Sequence, residues 1–406
     1  MHIELRPLIP TLTAGQATDL VIHARLTPPT QAARTQTPPR LNLALVLDRS
    51  GSMDGQPLHM ARLAAQTAIR QLCTQDLVSL VTFDDTVTTV IPPQAATDPA
   101  ALCALVDTVT CGGSTALHAG WLEGATLCAQ HLDPAALNRV LLLSDGGANV
   151  GETNPGVIAN HVRGLTALGV STSTIGLGEH YDDQIMQAIA DAGDGNFEHI
   201  ENPADLPRYF EQELQGLSRT SGHTVSLGIE PNPALGSRRH ELLNDLPRTD
   251  TGRAKLPNLI QGRPTDLIFT VHVPAQHPTN DLGVTRIRLA WTDRAGQRHV
   301  QRAQLNLPVQ PAGSPEPAEN ADVRLLTERL RAARVREEAV AYAVAGSPIM
   351  SRERLSREAR RLHNLGIHGL QGEISALTAL DEDFAQNAQL AQKRARSQSY
   401  NTRRSK

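Results

Sequence analysis

Asp48, Ser50 and Ser52 stand at alternate positions around Gly51 in the run Asp48-Arg49-Ser50-Gly51-Ser52, directly after the apolar run Leu43-Ala44-Leu45-Val46-Leu47. A carboxylate and two hydroxyls so spaced can turn three oxygen donors toward one point, because glycine accepts the tight turn that bulkier residues resist. Hard oxygen donors suit Mg²⁺, Mn²⁺ or Ca²⁺. Two later segments add the complement: Gly112-Gly113-Ser114-Thr115 supplies another hydroxyl in Thr115, and Leu143-Ser144-Asp145-Gly146-Gly147 another carboxylate in Asp145. Alone, the first run also fits a capped strand-to-helix turn. Joined with Thr115 and Asp145, it reads as a cation site.

The elements that must position these residues are apolar runs alternating with amphipathic segments. Leu41 to Leu47, Leu77 to Phe83, Val140 to Leu143 and Val170 to Ile175 read as buried strands, with helices expected at Pro57 to Cys73, Leu117 to His131, Val157 to Leu168, Tyr181 to Asp191 and Pro203 to Leu217. Such alternation predicts a doubly wound α/β domain with a mostly parallel sheet over residues 41–218. Asp48 then falls at the carboxyl end of the first strand, where open α/β sheets bind ligands.

Asp-x-Ser-x-Ser followed by Thr and Asp in two later strand-end loops resembles the metal-ion-dependent adhesion site of the von Willebrand factor A domain family, in spacing and loop placement at all five positions. The resemblance implies that Asp48, Ser50, Ser52 and Thr115 approach a divalent cation, Mg²⁺ foremost, directly or through water, with Asp145 in the outer shell. It also implies an open coordination position for a carboxylate oxygen of a protein partner, so the expected partner presents Asp or Glu. The wider arrangement looks like bacterial intracellular proteins of this family, and the flanking β regions resemble the heavy chains of inter-alpha-trypsin inhibitor. Some proteins with similar A domains are adaptors for ATP-driven machines, which gives an alternative role beside metal-dependent adhesion.

From Thr224 the apolar period changes to two, as in Val225, Leu227 and Ile229, then Ile287, Leu289 and Trp291, then Ala303, Leu305, Leu307 and Val309. This predicts an antiparallel β-sandwich over 219–311. Its strands are too few alone, so residues 1–40, with a strand at Asp19 to Thr27, are expected to complete it, and the α/β domain becomes an insertion. Pro28 to Pro39 reads as an exposed connection. Residues 312–406 are expected to hold two or three helices, Asn320 to Ala345, Ser351 to Leu365 and Glu373 to Lys393, and a fraying basic tail from Lys393.

The remaining features exclude more than they add. Thirty-eight Lys and Arg against 42 Asp and Glu give a net charge of -4, and aromatics make up 3%, which disfavours nucleic acid as a partner. The start Met1-His2-Ile3-Glu4-Leu5-Arg6 lacks a signal-peptide pattern and no apolar run is long enough for a membrane span, so a soluble cytoplasmic protein is expected. Cys73, Cys103, Cys111 and Cys128 lack zinc-site spacing. Asp84-Asp85 reads as a solvated turn, Asp54 equally as an outer-shell ligand or a helix-start charge, His118 as a helix-packing residue, and Gly176-Leu177-Gly178 as a strand-end turn; Asn149 and Glu152 are weaker candidates for the binding face. With no Gly-x-Ser-x-Gly, His-Glu-x-x-His or Gly-Lys-Ser motif, the chain is read as a non-enzymatic module, with a metal-assisted hydrolase as the alternative.

Overall fold

The computed structural model describes residues 1–30 and 40–405. Most of the expected Pro28 to Pro39 connection therefore lies outside the described residues. The chain divides into two compact units, one of residues 33–221 and 293–297, the other of residues 1–32, 222–292 and 298–406. The first is thus inserted in the sequence of the second. The C-terminal helices group with the β strands of the second unit rather than forming a body of their own.

In the α/β unit six strands form one sheet in the order Val87–Ala95, Leu77–Phe83, Leu41–Asp48, Leu137–Ser144, Val170–Leu177, Asp194–Ile200. The Val87–Ala95 strand is antiparallel to its neighbour and the rest run parallel. Leu41–Asp48 is buried along its whole length. Leu43, Leu45 and Leu47 enter one apolar core with Ala61, Ala65 and Ile69 of the Gln56–Gln71 helix and Phe210 of the Leu206–Ser218 helix. Val46 faces the opposite layer, where the Leu117–Gln130 helix lies so close that a Cβ at Gly124 would come within 2.3 Å of it. After Leu41–Asp48 the chain builds a strand on one side of it, at Leu77–Phe83, and later one on the other, at Leu137–Ser144. That reversal opens a crevice at its carboxyl end, where Asp48 sits.

The second unit has a four-stranded sheet, His2–Pro7, Thr18–Thr27, Thr265–Val273 and His240–Leu242, and a six-stranded sheet led by Thr220–Pro231, Thr279–Thr292 and Arg298–Gln310. Alternate residues Leu20, Ile22, Ala24 and Leu26 share one core with Val225, Leu227, Ile287, Leu289 and Leu305 of the larger sheet. The intervening Val21 turns to the other face, against Val323 and Leu330 of the Ala321–Val344 helix. The smaller sheet is therefore covered on both sides.

Two sequence expectations fail in the C-terminal region. A single helix over Glu373 to Lys393 is instead two, Gln371–Gln386 and Ala388–Arg403, because Asn387 takes an extended conformation and its side chain caps Leu390. The basic tail does not fray: Ala391 and Ala395 pack in the helical core, Tyr400 is buried, and Ser399 Oγ donates to the Ala333 carbonyl at 3.1 Å. Its charges occupy positions around an apolar stripe rather than repelling a free end.

Candidate metal centre

The five candidate residues converge. Asp48 ends the central strand, and its Oδ1 accepts the Ser50 amide at 2.7 Å while Oδ2 accepts the Ser144 hydroxyl at 2.5 Å. Both carboxylate oxygens are thus fixed before the loop begins. Ser50 and Ser52 Oγ lie 3.2 Å apart, and Ser52 Oγ donates to Asp145 Oδ1 at 2.6 Å. Asp48, Ser50, Thr115 and Asp145 are buried, whereas Ser52 is exposed.

Gly146 reveals where the hydroxyls point. A Cβ built there would lie 2.8 Å from Thr115 Oγ1 and 3.4 Å from both Ser50 Oγ and Ser52 Oγ. Three hydroxyl oxygens from two loops therefore surround one small space that only the lack of a side chain keeps clear. Burial pushes the Asp145 carboxyl up to about 6, with the nearby Asp48 charge adding to the effect against the Ser52 hydrogen bond. Burial also raises Asp48, and Asp84 raises it further. Two carboxylates that disfavour each other's charge, beside three convergent hydroxyls, form a donor set whose deficit is a cation. The residues present fit a hard divalent ion.

The loops that hold these donors brace one another. The Gly51 amide donates to the Gly113 carbonyl at 2.8 Å and the Gly112 amide to the Arg49 carbonyl at 2.7 Å. Asp84 ties down the glycine pair: its Oδ2 accepts the Gly113 amide at 3.2 Å and pairs with Arg49 at 3.0 Å, and its Oδ1 accepts both the amide and the hydroxyl of Thr86. The solvated-turn reading of Asp84 is therefore corrected. It is buried, and although burial opposes ionisation, the hydrogen bonds from Thr86 and Gly113 and the Arg49 charge hold its carboxyl below the usual range. Its charge is met by Arg49, which also reaches the Thr86 hydroxyl at 3.3 Å.

Asn149 also has a defined task, accepting the Thr115 amide at 2.9 Å through Oδ1 while its own amide donates to the Thr115 carbonyl at 3.2 Å. Glu152 accepts the Asn154 amide, and Asp54 is exposed. His118 packs on Trp121 and meets His161, Nε2 to Nδ1, at 3.0 Å. Gly176 and Gly178 close a strand end, with the Tyr181 ring over the first and a φ of +69° at the second. Ser144 went unmarked in the sequence because a strand-terminal serine carries no signal until the register places it beside Asp48.

Comparison with known proteins identifies the fold of the α/β unit. The model of the von Willebrand factor type A domain matches residues 42–212. An uncharacterized protein of Synechocystis, sll0103, is 31% identical over 197 residues, 48% of this chain and 45% of that protein. Inter-alpha-trypsin inhibitor heavy chain H3 of Rattus norvegicus is 27% identical over 197 residues, 47% of this chain and 22% of that one. The chain thus spans less than half the length of these curated relatives. Among solved structures, von Willebrand factor type A from Catenulispora acidiphila has the same fold, with a TM-score of 0.71 at 18% identity over 93% of this chain and 89% of the other. The α/β unit is a von Willebrand factor type A domain.

Proposed function

We propose that this domain binds a protein partner through a divalent cation, most suitably Mg²⁺, to which the partner contributes an Asp or Glu side chain. Asp48, Ser50, Ser52 and Thr115 would hold the ion, and Asp145 would orient Ser52 by the hydrogen bond they share. The bound ion supplies a Lewis-acidic position for an incoming carboxylate. The convergence of three hydroxyls over Gly146 carries this reading. Exposure of Ser52 beside buried Ser50 and Thr115 leaves one side of the cluster approachable.

The module is read as non-enzymatic. The hydroxyls of Ser144 and Ser52 donate to carboxylates that are themselves buried, so each acid is occupied in positioning a neighbour. Among the described residues no helix is long and apolar enough to cross a membrane, and the four cysteines are free. Reduced cysteines suit a cytoplasmic setting, where we place the module.

The test is retention of partners from host lysate on the purified protein, with Mg²⁺ or with EDTA, beside calorimetric titration of Mg²⁺ and Mn²⁺. A protein retained by the wild type only with Mg²⁺, and not by Thr115→Ala, supports the proposal. Retention indifferent to EDTA and to Thr115→Ala would overturn it.

A further inference from the structure

A second binding surface lies in the β unit, on the outward face of the six-stranded sheet. Ile287 and Leu289 point into the core, so Arg286 and Arg288 between and beside them point out. The register sets Arg288 directly opposite Arg302 on one side and Gly228 on the other. The Arg253 side chain lies across Gly228, with Cγ and Nε 3.8 Å from the place a Cβ would take. Arg298 reaches the same area, donating to the Thr224 carbonyl at 2.6 Å and to Ser226 Oγ at 3.4 Å.

Four guanidinium groups thus crowd one patch. Like charges directly opposite on neighbouring strands are destabilising, so a sheet has no reason of its own to place them so. Glu230 on this face is paired with Arg286 at 3.0 Å. Among the described residues no carboxylate forms an ion pair with Arg253, Arg288, Arg298 or Arg302. Arg288 Nη1 is buried without a hydrogen-bond partner, while Arg298 and Arg302 are exposed. Burial, then the charges of Arg288 and Arg253, lower Arg298 from its ordinary range. An unsatisfied buried donor among uncompensated cations is what a bound anion would relieve.

We infer that this arginine face docks an acidic segment of a partner polypeptide, whose Asp and Glu carboxylates pair with Arg253, Arg288, Arg298 and Arg302. Arginine's planar fork matches carboxylates in a bidentate manner. Nucleic acid is the poorer fit. The exposed neighbours Val300, Gln304 and Asn306 offer no ring on which a base could stack, and the whole chain is acidic, at -4.

The full chain, in EDTA so that the cation site is silent, should bind a fluorescent peptide of alternating Glu and Ser, read by anisotropy. A matched peptide with Gln for Glu should not bind. The exposed Arg302→Glu should weaken binding about tenfold or more, because it replaces an attraction for the peptide by a repulsion. Circular dichroism should be unchanged and the melting temperature at or above that of the wild type, because a carboxylate opposite Arg288 removes a like-charge pair. Thr115→Ala should bind as the wild type does, which separates this surface from the cation site. Equal binding of the Gln peptide, or undiminished binding by Arg302→Glu, would overturn the inference, as would tighter binding of an oligodeoxynucleotide of equal charge.

Discussion

Gly146 is the residue on which the proposed cation site depends without contributing a donor. A methyl group there would fall 2.8 Å from Thr115 Oγ1 and within 3.4 Å of Ser50 and Ser52 Oγ, filling the space the three hydroxyls share. Gly146 does not occupy the left-handed region, so alanine meets no backbone strain at this position. Gly146→Ala is therefore expected to abolish Mn²⁺ and Mg²⁺ binding in calorimetry while leaving the fold, judged by circular dichroism in EDTA, intact. Asp84 is the converse case. Asp84→Ala would strand the half-buried Arg49 and the Gly113 amide at once, at a cost of about 3 kcal/mol in urea unfolding, with cation affinity falling through misplacement of the Gly112–Gly113 loop. A stability change within error would show that the loop is held by other bonds. The five candidate donors were readable from sequence because their types and order are chemically specific; the role of Asp84 was not, since a paired acid after a strand looks the same whether its partner is water or an arginine brought from another loop.

At the scale of elements, Asp266 joins two strands of the smaller sheet. It lies opposite Arg25 in register and accepts hydrogen bonds from Arg25 Nε at 2.8 Å and His23 Nε2 at 2.7 Å. Burial alone would raise its carboxyl, but the hydrogen bonds from His23 and Arg25 outweigh this and hold it at about 2 against an ordinary 3.8. A folded value below the unfolded one means the unfolded chain takes up the proton first, so this contribution is complete above 3.8 and disappears as pH falls through about 2. Asp266→Asn should accordingly lose about 2 kcal/mol near neutrality, and its deficit against wild type should close in acid unfolding curves as pH drops through that window. A deficit unchanged with pH would assign the effect to packing. Leu41–Asp48, Leu77–Phe83, Leu137–Ser144 and Val170–Leu177 were legible from their apolar runs, and most of the helices from their apolar stripes, though not the helix Pro99–Asp107. Val87–Ala95 was not, because an edge strand can carry Pro92 and Pro93 and needs no alternation. Asp194–Ile200, with sequence DGNFEHI, is likewise held at the other edge by its neighbour's register and not by its own apolar content.

For the whole molecule, the last helix and the first strands belong to one body. The Arg403 carbonyl accepts the Asn244 amide at 2.9 Å, Ser405 Oγ donates to the Asp266 carbonyl at 2.8 Å, and Tyr400 is 1% exposed beneath the Arg404 guanidinium. Tyr400→Ala is expected to cost about 3–5 kcal/mol, and limited proteolysis should then release the Ala388–Arg403 helix first. Release of segments from the α/β unit at the same rate would argue against this. The inserted arrangement has a further consequence for biosynthesis. His23 and Asp266 meet across a sequence separation of 243, and residues 33–221 of the α/β unit are made between them. On the ribosome, the strand Thr18–Thr27 emerges long before Thr265–Val273 exists to pair with it, while the α/β unit can complete its own core in the interval. The nascent chain thus carries a finished domain behind an apolar strand that is paired with His2–Pro7 on one edge and waits on the other until the second half of the sheet arrives.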